Sequence, residues 1–205
     1  RIAPEQITPE RIRQLIYYPS NREKIPLLIG LLRRMDPRRT MVFVNRRREA
    51  ERLQRFLEAN GIHAQAISGD VPQKKRLRLL RDFVSGELPV LIGTDVASRG
   101  LHVPGVSHVF NFDLPDDAED YVHRIGRTAR AGAEGDAISF GCEDYAQNLP
   151  AIEAFVGYKL PVEAVDPELL IDIKIPPRPP RREKHKRPQN KSRPRRGSGP
   201  GRGRR

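Results

Sequence analysis

Cysteine is nearly absent from this chain. Of 205 residues only Cys142 is a cysteine, so no intramolecular disulfide can form, which fits a reducing compartment such as the cytoplasm. Long apolar runs are lacking too. No stretch approaches the ~18 consecutive apolar residues of a membrane span, so no membrane is expected among its partners. No signal-peptide pattern is visible, and the chain opens on Arg1 rather than Met, as a piece of a longer polypeptide would. There is no Gly-x4-Gly-Lys-Ser/Thr phosphate loop and no Asp-Glu-Ala-Asp-like acidic box. The five histidines and the one cysteine fall at no metal-ligand spacing, so no metal site is expected. No repeat of 20–50 residues, the period of solenoids and propellers, is present.

What is present is unevenly charged. The first 175 residues carry 25 basic and 25 acidic side chains, whereas residues 176–205 carry 13 basic side chains and a single acid, Glu183. The net charge of +12 therefore belongs to the tail. That tail holds 7 Pro and 4 Gly and no aliphatic or aromatic side chain, so nothing offsets its ordering entropy and disorder is expected.

Before the tail, short apolar runs alternate with amphipathic ones. Strands are expected at Thr40–Val44, Ala64–Ile67, Val90–Gly93, His108–Asn111 and Ala137–Phe140. Helices are expected at Arg22–Arg34, Arg48–Glu58, Pro72–Val84, through Tyr121 and Ile125, and at Gln147–Val156. The Pro72–Val84 helix should bury a stripe of Leu77, Leu80, Phe83 and Val84. Alternation of this kind predicts an α/β fold of three layers, with a mostly parallel sheet and helices on both faces. Ligands of such sheets sit at the carboxyl ends of the strands, so the loops after Val44, Ile67, Gly93 and Asn111 are the candidate sites.

Three segments carry candidate chemistry. His123-Arg124-Ile125-Gly126-Arg127-Thr128-Ala129-Arg130 packs three arginines and a histidine into eight residues. If its helix continued, positions 123, 127 and 130 would share one face, an arrangement that makes sense opposite a polyanion, since guanidinium forks suit phosphate oxygens. A solvated basic face would look the same. Ser68-Gly69-Asp70-Val71-Pro72-Gln73-Lys74-Lys75-Arg76 follows one expected strand, and Thr94-Asp95-Val96-Ala97-Ser98-Arg99-Gly100-Leu101-His102 follows the next. The acid run Asp116–Asp120 reads as a helix start. His63 and His108 read as structural residues, and Cys142 as a small core or rim residue.

The order and spacing of these segments, over about residues 10–160, resembles the C-terminal RecA-like domain of DEAD-box ATP-dependent RNA helicases. Asn111-Phe112-Asp113-Leu114-Pro115, Tyr145–Glu153 and the basic tail resemble the bacterial RhlB-type subfamily in particular. The resemblance implies a RecA-like fold over residues 1–165, then a linker and basic tail over 166–205. It implies that Arg127 and Arg130 reach the γ-phosphate of ATP as arginine fingers, while His123 and Arg124 link to the acidic box of the other core domain. Asp95 would orient this arginine row or meet the nucleotide; a plain helix cap is its alternative. Arg99 and Gly100 would face the nucleotide with residue 102, where His102 stands in place of the family's usual ribose-binding aspartate. Ser68 replaces a common histidine and Ala129 a common glycine. Gly69, Asp70, Gln73, Arg76 and Thr94, with Asn45 and Arg46, would hold the RNA sugar-phosphate backbone without reading sequence. Gln73 and Arg76 would otherwise be ordinary helix surface.

The cofactor implied is ATP with Mg2+, bound mainly by the N-terminal RecA-like domain, so this chain alone is expected not to hydrolyse ATP. The implied partners are RNA, that N-terminal domain, and the endoribonuclease RNase E in an RNA-degrading assembly, the degradosome. One alternative is a docking module for RNase E. Another is an RNA-binding domain driven by its tail, whose attraction would be charge-borne and salt-dependent, unless the tail is only a solubilising extension.

Overall fold

A computed structural model describes residues 11–101, 103, 105–129 and 134–180. His102, Arg130 and the tail from 181 onward lie outside the described residues.

Six strands form one sheet: β1 (Ile12–Tyr17), β2 (Thr40–Phe43), β3 (Ala64–Ile67), β4 (Val90–Gly93), β5 (His108–Asn111) and β6 (Gly135–Phe140). Their order is β1-β6-β5-β2-β4-β3, and every neighbouring pair is parallel. The mostly parallel sheet expected from the pattern is thus wholly parallel. The helices are α1 (Lys24–Met35), α2 (Arg47–Ala59), α3 (Gln73–Ser85), α4 (Asp95–Ser98), α5 (Ala118–Ile125) and α6 (Leu149–Val156). Strand β1 escaped the sequence pattern because it is an edge strand. Its Arg13 is exposed and pairs with Asp136, which interrupts the apolar run.

Alternation along the strands sorts the helices into two layers. Val42, Val44, Ile92, Phe110 and Ile138 pack on α1 and α2. Met41, Phe43, Leu91 and Val109 face α3 and α4. Ile12, Ile16 and Ala137 meet α5 and α6. The described chain stays on this body beyond residue 165. The amide of Ile16 bonds to the carbonyl of Pro161, and that of Glu163 to the carbonyl of Ile16, covering the outer edge of β1. Leu169 is buried against α1, where a Cβ at Gly30 would overlap the Leu169 carbonyl, so only glycine permits this approach. Asn60 then holds Lys174 through both backbone groups, at 2.8 and 2.9 Å.

Two helices depart from the expectation. On α3 the buried residues are Leu79 and Phe83, while Leu77 is 58% and Val84 37% exposed. At 100° per residue, 77 and 84 share a face that 79 and 83 do not. An edge helix buries only one stripe, so the expected core stripe is corrected to Leu79 and Phe83, with Leu80 partly buried. Helix α5 ends at Ile125. A tight turn follows, with the amide of Arg127 on the carbonyl of Arg124 and that of Thr128 on the carbonyl of Ile125. The conditional row 123–127–130 on one continuing helix is therefore not formed. No helix among the described residues is long and apolar enough to cross a membrane.

Candidate functional site

The carboxyl edge of the sheet is organised by one side chain. Arg124, in the last turn of α5, is 1% exposed. Its Nε and one terminal nitrogen each donate to a different oxygen of Asp95 at 2.7 Å. The same terminal nitrogen donates to Oδ1 of Asn45 at 2.8 Å. The other donates to the Asp113 carbonyl at 2.7 Å and to Oδ1 of Asn111 at 3.3 Å. All five N–H groups of the guanidinium are thus used. A charge so deeply buried is tolerable only when paired and fully hydrogen-bonded, and only an arginine presents the planar fork that can be satisfied by four residues at once. Its guanidinium also lies 5.3 Å from the Phe43 ring centre.

Beside it runs a second buried pair. The Lys24 ammonium is 2.5 Å from Oδ1 of Asp113 and 4.2 Å from the centre of the Phe112 ring. Oδ2 of Asp113 accepts the amide of Asn45 at 2.9 Å. Helix α5 is fixed from below by Tyr121, whose hydroxyl donates to Gln14 at 2.6 Å and whose pKa burial drives far above the ordinary phenol value.

This network floors a cleft of about 340 Å3. Asp95, Arg99, Gly100 and Arg127, expected at the nucleotide, meet around it with His123 and Arg124, expected at the acidic box of the other core domain. Arg127 is half-buried and donates to the carbonyls of Leu101 at 2.8 Å and Ser98 at 3.4 Å. His123 is exposed, with Glu119 and Asp120 at 3.8 and 3.7 Å. Arg99 reaches Asp120 at 3.7 Å. Among the described residues no group of three or more His, Cys, Asp or Glu is placed to hold a metal ion.

The residues expected at RNA occupy the adjoining loops, with differences. Gly69 and Asp70 are exposed in the turn after β3, and Asp70 pairs with Arg47. Gln73 is exposed at the start of α3 and Arg46 at the N-terminus of α2. Arg76 turns back and donates to the Ala97 carbonyl at 2.6 Å. Thr94 caps α4, its hydroxyl oxygen accepting the Ala97 amide at 3.3 Å. Asn45 faces inward: Oδ1 accepts from Arg124 and Nδ2 donates to the Leu114 carbonyl at 2.8 Å. Its side chain braces the arginine instead of projecting toward a polyanion. Arg124 differs likewise. With every donor engaged inside the domain, it has none left for an acidic box elsewhere.

Sequence reasoning gave no role to Asn111, Asp113 or Lys24. The first two did leave a signal, namely polar residues set among Val109, Phe110, Phe112 and Leu114, where only a partnered polar group survives burial. His108 and His63 lie away from this edge. Burial pushes the pKa of His108 down, and Asp136 stands 3.3 Å from its ring; His63 contacts Glu58 at 2.7 Å. Cys142 is buried.

Ala129, just past the cleft, has φ +54°, in the left-handed region that glycine enters without steric cost. Ala129→Gly is expected to relieve about 1 kcal/mol of strain, partly offset by the greater freedom of glycine when unfolded. The melting temperature should rise by about 1–3 °C. A fall would mean that the Ala129 methyl, packed near α5, contributes more than the strain costs.

A wholly parallel three-layer sheet with an arginine-lined cleft at its carboxyl edge, and polar loops beside it, defines one RecA-like half of a helicase core. The chain belongs to the helicase conserved C-terminal domain family, whose profile matches residues 23–132. The ATP-dependent RNA helicase RhlB of Xanthomonas axonopodis pv. citri is 58% identical over 179 residues, which cover 87% of this chain and 31% of that protein. RhlB of Cronobacter sakazakii is 49% identical over 199 residues, 97% of this chain and 45% of its own. The chain thus spans less than half the length of these relatives. Among solved structures, Escherichia coli DEAD-box protein SrmB bound to regulator of ribonuclease activity A superposes with TM-score 0.71 at 34% identity, covering 81% of this chain and 97% of that one. Saccharomyces cerevisiae Dbp5 bound to RNA and ADP BeF3 gives 0.71 at 34% identity, over 76% and 42%. The DEAD-box and RhlB-type resemblance read from the motifs stands.

Proposed function

We propose that this chain is the C-terminal half of an RNA-dependent ATPase that separates short RNA duplexes, and that Arg127 and Arg130 are its arginine fingers. The observation that carries the reading is the cleft. Arg127 stands at its mouth above a buried Arg124–Asp95 pair that fixes the α5 turn in place. An arginine delivered by domain closure stabilises the charge that develops on a transferring phosphoryl group. Asp95, held through both oxygens, acts by orienting that turn, and Arg124 is a positioning residue. His123, exposed at the rim, is the group free to face the acidic box of the other domain. Arg99, Gly100 and His102 would line the ribose side. ATP and Mg2+ would be held mainly by the N-terminal half. In this chain the described acids nearest the cleft are already paired with arginine or histidine.

RNA would lie along Arg46, Gly69, Asp70, Gln73, Arg76 and Thr94. These positions suit backbone contacts rather than base readout. A bacterial RNA-degrading assembly containing RNase E, in the cytoplasm, is the setting the RhlB similarity favours.

The test uses the longer polypeptide carrying both core domains. RNA-stimulated ATP turnover is expected from it and none from the 205-residue chain alone. Turnover by the isolated chain would mean that it holds a complete ATP site, and would sink the reading.

A further inference from the structure

The second apolar stripe of α3 has no role in the nucleotide or RNA reading. Leu77 and Val84 are exposed, Leu80 lies between them, and Leu101 forms the facing wall. Together they line an open groove of about 810 Å3 beside the carboxyl edge of the sheet. Aliphatic side chains collected in a concave strip, rather than scattered singly, mark a surface that another apolar surface covers.

Three candidate occupants can be compared. RNA offers a sugar-phosphate chain with nothing apolar for Leu77 and Val84, and no aromatic side chain lines the groove for base stacking. The chain's own residues 176–205 contain no aliphatic or aromatic side chain, so they cannot fill it. A protein segment can, and the charge around the groove states its sign. Helix α3 carries Lys74, Lys75, Arg76, Arg78 and Arg81 against one acid, Asp82, and of these cations Arg76 and Arg81 line the groove. The stripe 77, 80, 84 follows i, i+3, i+7 and spans about 10 Å at the α-helical rise. That is the footprint of two turns of a helix laid in a groove.

We propose that this groove is a docking site for an acidic amphipathic helix of a partner protein, whose leucine-type residues sit on Leu77, Leu80, Val84 and Leu101 while its carboxylates meet the cations of α3. Gln73, Arg76 and Gly100, which the RNA and nucleotide reading uses, border the same groove, but Leu77 and Val84 stand outside that machinery, so variants at those two positions test the assignment separately.

The test follows methyl NMR signals of the 205-residue chain while it is titrated with a synthetic helix of about four turns. The probe carries leucine at i, i+3, i+4 and i+7 and glutamate elsewhere. Saturable shifts are expected at the methyls of Leu77, Leu80, Val84 and Leu101. Leu77→Asp and, separately, Val84→Asp are expected to weaken binding about tenfold or more, the loss of one buried aliphatic contact. Both positions are exposed, so melting temperatures should hold and show that each variant is folded. A peptide with lysine in place of glutamate should not bind. The proposal is overturned by an absence of shifts, by equal binding of the lysine peptide, or by oligouridylate moving the Val84 methyls, which lie about two to three helical turns beyond Gln73 and Arg76. It is also overturned if a soluble paramagnetic probe cannot reach the Leu77 and Val84 methyls in the free chain, because the groove would then be covered by the chain itself.

Discussion

Arg127→Ala, made in the polypeptide that carries both core domains, is expected to lower RNA-stimulated ATP turnover by about a thousandfold or more. That is the range over which a positioned arginine finger acts on phosphoryl transfer. The loss should fall on kcat, with the KM for ATP moving far less, because the charge that Arg127 would meet develops in the transition state. Stability should change little. The side chain is half-buried, and its described bonds go to the carbonyls of Leu101 and Ser98, each worth about 0.5–1.5 kcal/mol net. Arg127→Lys keeps the charge but loses the planar fork, and is expected to recover only a small part of the rate. Single-turnover measurements with RNA saturating would separate chemistry from binding. A kcat within a few-fold of the parent in both variants would remove Arg127 from the reaction and leave it a loop-holding residue.

The contrast between Arg127 and its neighbours shows what the sequence could disclose. The sheet was legible because β2, β4 and β5 are largely buried and hold short apolar stretches such as Met41–Phe43, Val90–Ile92 and Val109–Phe110, and because the parallel connections leave helices between them. The location of the site was legible for the same reason, since parallel strands put their following loops on one edge. Strand β1 was not legible, because an edge strand with Arg13 and Gln14 between Ile12 and Leu15 has no such run. Nor was the packing of residues 166–174, where Leu169, Ile171 and Ile173 recur at every second position as in a strand, yet dock on α1 and α2 without joining the sheet. Residue types alone marked His123–Arg130 as suited to an anion or to solvent. They could not say which arginine lines the cleft. That depends on α5 ending at Ile125, which turns Arg127 toward the cleft and leaves Arg124 beneath it. Asn45 was misplaced by the same limit. A polar residue at a strand's carboxyl end is equally suited to a ligand or to a buried partner, and here Arg124 is that partner.

Arg124 is therefore the position at which stability and activity are expected to fall together. Replacing it with methionine fills much of the volume but leaves Asp95, Asn45, Asn111 and the Asp113 carbonyl without their shared donor. Breaking one side of a fully buried pair costs about 3–5 kcal/mol, and Asp95, whose carboxylate keeps 21% exposure, places the loss toward the lower end of that range. For a domain of this size the melting temperature should fall on the order of 10 °C. Arg124→Lys is expected to recover little of this, because a compact ammonium with three donors cannot serve acceptors on four residues that approach a planar fork. Asp95→Asn separates the charge from the geometry. It keeps the shape and one acceptor oxygen while removing the carboxylate, and the double variant Arg124→Met with Asp95→Asn should be less than additively destabilised, since the second change removes the charge that the first had stranded. Calorimetry on the four proteins gives the coupling directly. A coupling indistinguishable from zero would mean that Asp95, which keeps some solvent access at 21% exposure, relaxes toward water when Arg124 is lost. The α5 turn would then owe its position to Tyr121 and the core beneath it rather than to the ion pair.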